Sequence, residues 1–244
     1  ALISYIMTGF QNENEIRNEL NLKMFSDLNE NMQNLVKSSF SCHEGLIICE
    51  KIAGTSKTDF QISIGVETHN FSIKKGTGNA VHQEPVEQFL NYINIFGANQ
   101  SIKDEIRFYI WGDGTLDGNG SIDDRLSAHQ LGRMYPDLVS SIKMFFDEIK
   151  KPLLLRFLAD GAHANHPAEY IYYGTKDEGI CCEMDKTMDW LCRQQSSARI
   201  PVGKLTFQAW NRNINGGDRS EDKRGVIQIK WADIKSDLTV IYNE

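Results

Sequence analysis

The sequence lacks the features that mark membrane, secreted and zinc-binding proteins. None of its apolar runs approaches the roughly 20 residues of a membrane-spanning helix. Its start, ALISYIMTGF, has no basic region and no small-residue cleavage pattern, so we expect no signal peptide. Its five cysteines form no CxxC pair, which argues against a zinc site or a disulfide framework and favours a reducing cytoplasm.

An excess of positive charge is also missing. The chain has 26 lysines and arginines against 33 aspartates and glutamates, and its net charge of −7 argues against non-specific coating of nucleic acid. This charge is still compatible with a local basic cleft, because phosphate attraction depends on where the cations lie. No GxSxG, Walker or GxGxxG motif is present, so serine hydrolase, nucleotide hydrolase and dinucleotide-binding classes have no support.

What the sequence does contain is the ordinary composition of a globular protein. Its 244 residues are 41% apolar and 24% charged, enough for a sizeable core and one domain over residues 1–244. We expect a mixed α+β fold with a central mixed sheet. Periodicity predicts helices at 12–39 (broken near 21), 84–96, 124–132, 137–149, 151–159 and 183–194, and strands at 45–52, 60–65, 71–75, 106–111, 168–174, 204–211 and 225–231.

Residues 57–88 concentrate the candidate chemistry. They predict a strand, a turn at 66–70, a second strand and a helix, with Asp59 at the start of the first strand. Ser72, Ile73 and Lys74 lie on the second strand, and pairing would bring Lys74 and the Ile73 carbonyl towards Asp59. Oxygen ligands suit Mg²⁺ and a lysine can assist the attacking water, so the pattern predicts a magnesium-dependent phosphodiesterase.

A second carboxylate is needed, because Ser72 stands where an acid would be convenient. Glu84 and Glu87 begin the predicted helix, and their spacing of three puts them on one helical face. We therefore take both as candidate catalytic and metal-binding residues. The alternative is a solvent-exposed hairpin followed by an acidic helix start, which the helix dipole favours by itself.

The order of Asp59, a hairpin and then Ser72-Ile73-Lys74 resembles the motif of the PD-(D/E)XK nuclease superfamily. With Ser72 in place of the usual acid, it is similar to type II restriction endonucleases that have Ser-x-Lys and a glutamate moved into the following helix. Glu87 lies 13 residues after Lys74 and matches that position, with Glu84 as the rival. The resemblance covers residues 45–97, and the catalytic centre would occupy about 45–111. It implies a restriction-endonuclease-like sheet flanked by helices, Mg²⁺ as cofactor, and hydrolysis of double-stranded DNA to 5′-phosphates.

The C-terminal hairpin, about residues 204–231, is the second candidate region. Arginine and lysine pair with guanine edges, asparagine and glutamine with adenine edges, and a two-stranded ribbon fits a major groove. With the 112–124 loop as a further candidate, this hairpin predicts base reading, while an ordinary polar hairpin is the alternative. The candidate DNA-binding residues are His82, Gln208, Trp210, Asn211, Arg212, Arg224, Gln228 and Lys230, with Asn213, Asn215, Arg219 and Lys223 between the strands.

Three functions are compatible with these patterns. The first is a sequence-specific restriction endonuclease in a bacterial or archaeal cytoplasm, which the resemblance implies to be a homodimer if its site is a palindrome. The second is a structure-specific or repair nuclease of the same fold. The third is a non-catalytic DNA-binding module with a decayed hairpin. The recognition sequence and the cut position have no signature in the chain.

Overall fold

The computed structural model describes residues 7–54, 56–212 and 220–244. Asn213, Asn215 and Arg219 of the predicted base-reading loop lie outside these residues. The chain forms two compact units, the first made of Ala1–Asn79, Leu158–Trp190 and Asp233–Glu244 and the second of Ala80–Phe157 and Leu191–Ala232. In the described part of the chain, no helix is both long and apolar enough to cross a membrane.

Both units contain helices and strands, which confirms the mixed α+β class. The helices are α1 Gly9–Leu20, α2 Glu30–Ser39, α3 Val86–Ile93, α4 Gln100–Trp111, α5 Ala128–Met134, α6 Pro136–Glu148, α7 Lys150–Leu155, α8 Met184–Arg193 and α9 Ile234–Asn243. The strands are β1 Ile47–Lys51, β2 Phe60–Ile64, β3 Glu67–Lys74, β4 Ala80–Pro85, β5 Tyr170–Gly174, β6 Gly179–Glu183, β7 Pro201–Val202, β8 Leu205–Ala209 and β9 Val226–Lys230. Short 3₁₀ helices cover Phe25–Asp27, Asn94–Phe96, Ile122–Asp124 and Ser220–Lys223, and Arg156–Asp160 is π-helical.

The first unit is built on a five-stranded sheet in the order β1-β2-β3-β5-β6. Strands β1, β2 and β3 form an antiparallel meander, β5 runs parallel to β3, and β6 is antiparallel to β5. The β2–β3 turn is tight, because Ile64 pairs directly with Glu67 and only Gly65 and Val66 lie between them. Gly65 has a φ of 60°, as the first position of a type II′ hairpin turn requires.

Helices α1, α2 and α9 cover this sheet, with α1 against β1 and both α2 and α9 against β6. A capping box between Thr8 and Gln11 starts α1, and the Asn29 side chain caps α2. Apolar side chains from the helices and the meander form one buried cluster, which holds the meander in place. Its fully buried members include Ile16, Leu20, Met32, Val36, Ile47, Cys49, Phe60, Ile62 and Phe71.

The second unit has its own four-stranded antiparallel sheet in the order β4-β9-β8-β7. Helices α3, α4 and α6 pack on its strands. Phe89, Phe146 and Phe207 pack edge to face or tilted, with ring centroids 4.8–5.8 Å apart, and all three are fully buried. Offset aromatic contacts of this kind contribute stability beyond the area they bury.

Three sequence predictions of local structure are wrong. Residues 106–111 form the end of helix α4 and are not a strand. Residues 67–70 belong to β3, so the turn is much shorter than the predicted 66–70. Glu84 does not begin a helix, because residues 80–85 form strand β4 and α3 starts at Val86. The other predicted elements are present with shifts at their ends, while β4, β6, β7 and α9 were not predicted.

Candidate functional site

Asp59 lies just before β2 and next to residues 71–73 of β3. Its backbone N–H donates to the Phe71 carbonyl at 2.8 Å, and its carbonyl accepts from Ile52 at 3.0 Å. The side chain then reaches across to the next strand, where Oδ2 accepts the backbone N–H of Ile73 at 2.7 Å. A carboxylate fixed by both its main chain and its side chain has little freedom to turn away.

The electrostatic setting of Asp59 is unfavourable for its own charge. Burial raises the pKa of Asp59 to about 6, although the hydrogen bond from Ile73 and the charge of Lys74 both act to lower it. The charge of Glu13 also raises this pKa. A partly desolvated carboxylate with a raised pKa and a charged neighbour is typical of functional sites.

Ser72 and Lys74 lie on the same face of β3. Ser72 is 1% exposed and pairs in parallel register with Ile171, while the half-buried Lys74 pairs with Tyr173 at the carboxyl end of both strands. The charge of Lys74 acts on Asp59 across the strand pair. The first unit therefore brings together four of the predicted residues: Asp59, Ser72, Ile73 and Lys74.

The sequence interpretation missed Glu13. This residue lies on α1, its Oε2 is 3.1 Å from Lys51 Nζ, and its charge acts on Asp59. Glu13 is thus a second acid within the first unit. Its only sequence signal is its place on an amphipathic helix, and that pattern does not tell which of the acids on α1 approaches the sheet.

Glu84 is in the second unit, buried in the sheet, and already has strong partners. Arg156 holds it with two hydrogen bonds, Nε to Oε1 at 2.9 Å and Nη2 to Oε2 at 2.6 Å. His82 Nε2 is 3.2 Å from Oε1, and the side chains of Glu84 and Arg156 are 2% and 7% exposed. Burial acts to raise the pKa of Glu84, but the hydrogen bonds from His82 and Arg156 outweigh it and the net shift is downward.

Glu87 has a different environment in the first turn of α3. Arg107 on α4 binds both of its oxygens, at 2.8 and 2.9 Å, and this hydrogen bonding lowers the pKa of Glu87. The Glu87 side chain is 60% exposed, so this is a surface ion pair. Among the described residues, no group of three or more histidine, cysteine, aspartate or glutamate side chains is arranged to hold a metal ion.

The predicted base-reading hairpin exists as β8 and β9, paired in antiparallel register. Gln208 lies opposite Gln228, and the two amides are joined by a hydrogen bond of 3.1 Å. Trp210 follows β8, and the Lys223 ammonium lies 4.3 Å from the centroid of its ring. Lys230 is half-buried at the end of β9.

The two arginines of the hairpin and Asn211 have internal partners. Arg212 is 9% exposed and donates to the Tyr109 carbonyl at 2.8 Å. Arg224 donates to the Trp111 carbonyl at 3.0 Å and to Asp113 at 3.1 Å. Asn211 donates to the Ser220 carbonyl. These contacts fix the ends of the hairpin.

The glycine-rich loop at 112–124 is closed by Asp113. Its Oδ1 accepts from the backbone and the hydroxyl of Thr115 at 3.0 and 2.6 Å, and its Oδ2 accepts from Gly120 at 3.1 Å as well as from Arg224. The carboxylate is therefore the internal hydrogen-bond acceptor of the loop. Burial acts to raise the pKa of Asp113, but these hydrogen bonds lower it overall.

Comparison with known proteins finds a likeness among solved structures. Neither a protein-family model nor a curated protein matches the chain. Among solved structures, the chain is similar to restriction endonuclease MspI, whose structure was determined with its cognate DNA. The identity is 13%, the match covers 92% of this chain and 80% of that chain, and the TM-score is 0.49. A likeness of this degree decides neither the function nor the site of this chain.

Proposed function

We propose that this protein is a Mg²⁺-dependent, sequence-specific DNA endonuclease of the type II restriction type. It would hydrolyse phosphodiester bonds in double-stranded DNA and leave 5′-phosphates. The observation that supports this best is the hydrogen bond of 2.7 Å from Ile73 N–H to Asp59 Oδ2. It ties the aspartate to the strand that carries Ser72 and Lys74, which is the arrangement that the nuclease motif requires.

The residues of the first unit fit a hard cation. Asp59 offers a carboxylate oxygen in a partly desolvated place, and the raised pKa shows that its negative charge lacks sufficient compensation there. A bound cation would supply this compensation, and we assign the Ile73 carbonyl and Glu13 to it as further oxygen donors. When bound, Mg²⁺ supplies charge stabilisation and an activated water.

Lys74 acts on the water and on the phosphate. Its ammonium donates hydrogen bonds and carries a positive charge, so it would orient the attacking water and stabilise the charge that develops on the phosphate oxygens. Ser72 is buried on the strand that carries Lys74, at the position where the nuclease motif usually has an acid.

For the relocated acid, Glu87 is a better candidate than Glu84. Release of Glu84 would leave Arg156 as a buried, uncompensated charge, at a cost of about 3–5 kcal/mol. Release of Glu87 from its exposed pair with Arg107 would cost about 0–1 kcal/mol. Glu13, which already acts on Asp59 within one unit, is a further candidate that the motif does not include.

DNA contacts are proposed for the hairpin and its surroundings. Gln208, Trp210 and Lys230 offer an amide, a ring and a cation on or just after β8 and β9. Gln228 is buried and accepts a hydrogen bond from Gln208, so we assign to it the positioning of the Gln208 amide. Arg212, Arg224, Asn211 and the buried His82 would have to leave internal partners to reach a base or phosphate, so we assign to them the positioning of this surface. If the recognition sequence is a palindrome, a homodimer would match its two-fold symmetry.

Digestion of a long defined DNA with and without Mg²⁺ tests the function. We expect discrete fragments with Mg²⁺, none with EDTA, and loss of cleavage by at least about 100-fold in Lys74→Ala. Lys37→Ala, which removes a surface lysine from the same unit, is the control and should cut like the wild type. Smears or cutting of branched DNA alone would indicate a structure-specific nuclease. Binding without any metal-dependent cleavage would indicate a non-catalytic module.

A further inference from the structure

One cavity in the first unit lies beside Lys74 and has no role in the catalysis proposed above. It has a volume of about 290 Å³ and opens where β3 and β5 end together. Ligands of open α/β sheets commonly bind outside the carboxyl ends of parallel strands, so its position is suited to binding. Its lining comes from three parts of the chain: Lys75, Gly76 and Thr77 after β3, residues 173–175 and 178–180 around the β5–β6 turn, and Lys235 on α9.

The charges around the cavity favour an anion. Lys75 and Lys235 reach it from separate elements. Among the described residues of its lining, Glu178 is the one acid, and it lies 3.8 Å from Lys235. Lys75 donates one hydrogen bond to the Met7 carbonyl at 3.2 Å, and an ammonium has three donors, so two more are available for a ligand. Lys235 is the second residue of α9, where the helix dipole adds positive potential.

The backbone of the cavity wall is closely fitted. Gly76 and Gly174 both have positive φ values, 89° and 147°, and a Cβ on Gly76 would lie 3.3 Å from the Gly174 Cα. A Cβ on Gly174 would lie 2.3 Å from the Glu178 carbonyl oxygen. Asn12, which is fully buried, donates to the Gly174 carbonyl at 2.9 Å and fixes this wall from behind. Glycine at both positions lets the main-chain segments of this wall approach one another closely.

We propose that this cavity binds a phosphodiester group of the DNA strand, next to the phosphate that is cleaved at Asp59 and Lys74. Lys75 directly follows Lys74 in the chain, and Tyr173, which pairs with Lys74, lines the cavity, so the cavity adjoins the proposed cleavage site along both strands. Lys75 and Lys235 would donate to the phosphate oxygens, with Thr77 and Thr175 as hydroxyl donors. This assignment rests on the proposed nuclease function. It adds a phosphate contact that would position the DNA strand beside the cleavage site.

The test measures binding of a labelled DNA duplex by fluorescence anisotropy, in EDTA so that the duplex is not cut. The double variant Lys75→Ala with Lys235→Ala should bind roughly tenfold more weakly, and its plot of log affinity against log salt should lose about 1–2 units of slope. Lys23→Ala with Lys37→Ala removes the same charge from surface positions of the same unit and should bind like the wild type. Glu178→Gln should act in the opposite direction and tighten binding, because it removes the acid from the cavity.

Cleavage kinetics provide a second readout. With Mg²⁺ and saturating DNA, the lysine double variant should cut within about threefold of the wild-type rate, because these lysines do not touch the reacting phosphorus. At lower DNA concentrations its weaker binding should appear as a higher KM. Thermal unfolding of each variant confirms that it is folded. An affinity and salt slope equal to those of the control would overturn the assignment while leaving the nuclease function intact.

Two further outcomes distinguish an error in the cavity assignment from an error in the proposed nuclease function. If the wild type neither binds nor cuts DNA, the proposed function fails and the phosphodiester assignment fails with it. If the lysine variants lose affinity for inorganic phosphate or a 5′-mononucleotide but not for the duplex, the cavity is a site for a small anion, and the DNA assignment is wrong.

Discussion

At the scale of single residues, Asp59 is held where its charge is unfavourable. Burial raises the pKa of Asp59 to about 6, above the pKa of about 4 that an aspartate has in the unfolded chain. The free energy of unfolding should therefore fall as the pH rises from about 4 to about 6. Asp59→Asn keeps the acceptor for the Ile73 N–H and removes the charge. We expect it to raise the free energy of unfolding at pH 8 by about 1–2 kcal/mol and to remove cleavage. Urea unfolding measures this, with the exposed Asp177→Asn as control, and a less stable Asp59→Asn would contradict it.

His69 provides a second prediction at this scale, away from the proposed site. Its ring nitrogens lie 2.9 Å from Glu67 and 3.1 Å from Glu169. Burial lowers the pKa of His69, but the hydrogen bonds with Glu67 and Glu169 outweigh it and the net shift is upward. The stabilisation that protonated His69 gives to the fold is therefore complete below about pH 6.5, the pKa of histidine in the unfolded chain. It is lost as the pH rises through the pKa of His69 in the folded protein.

Replacement of this histidine should remove that pH dependence. We expect unfolding in urea to show a smaller loss of stability between pH 5.5 and 8.5 in His69→Gln than in the wild type. The exposed His129→Gln should keep the wild-type profile. Equal pH profiles for His69→Gln and the wild type would show that the two glutamates do not hold the proton on this ring.

Individual residues also show why only part of the site was predictable. Asp59 and Ile73 lie on one hairpin, so strand alternation and a short turn are enough to bring them together. Glu13 and Arg156 act on Asp59 and Glu84 from distant helices. No local periodicity determines such partners, because they depend on how a helix packs on a sheet.

At the scale of elements, α4 shows that a few residues taken alone can predict the wrong secondary structure. The run IRFYIW at 106–111 is rich in residues that favour strands, which led to the wrong prediction. The helix begins at Gln100, where the Asn99 side chain accepts from Ile102 N at 2.9 Å. From there the buried positions are 102, 106, 109 and 110, the spacing of one helical face. Packing of that face overrides the propensity of the last six residues.

Strand β4 leads to a prediction about the buried ion pair. Glu84 is held by Arg156, with both side chains at most 7% exposed. We expect Arg156→Ala to destabilise the fold by about 3–5 kcal/mol, because Glu84 would be left as a buried charge. Glu84→Gln combined with Arg156→Ala should cost less than the sum of these two single variants, and a double-mutant cycle in urea measures the coupling.

The surface pair on α3 and α4 is the matched control for this cycle. Arg107→Ala breaks a hydrogen-bonded pair of similar geometry with Glu87, but one that is exposed, and should cost at most about 1 kcal/mol. Similar losses for Arg156→Ala and Arg107→Ala would mean that burial does not set the strength of the Glu84 pair. Glu84 would then be as free as Glu87 to bind a metal.

At the scale of the whole molecule, the order of the elements in the sequence does not indicate that β3 and β5 pair. Strand β3 pairs with β5, yet the segment Ala80–Phe157 lies between them in the chain and belongs to the other unit. Paired strands are usually close in the sequence, so a prediction that pairs consecutive strands does not identify β5 as the partner of β3. The mixed α+β class was predictable because it follows from element types alone, without their pairing.

The apolar cores determine how the whole molecule should respond to metal. The core of the first unit consists of buried aliphatic and aromatic side chains, so folding should not require Mg²⁺. We expect the EDTA-treated protein to unfold cooperatively, and Mg²⁺ at ten times its Kd to add about 1.4 kcal/mol by binding the folded state. For a chain of this size, that is a rise in Tm of about 3–5 °C. Asp59→Asn should show no rise beyond that given by NaCl of equal ionic strength, since it lacks the carboxylate. An equal Mg²⁺ shift in wild type and Asp59→Asn would mean that the cation binds elsewhere.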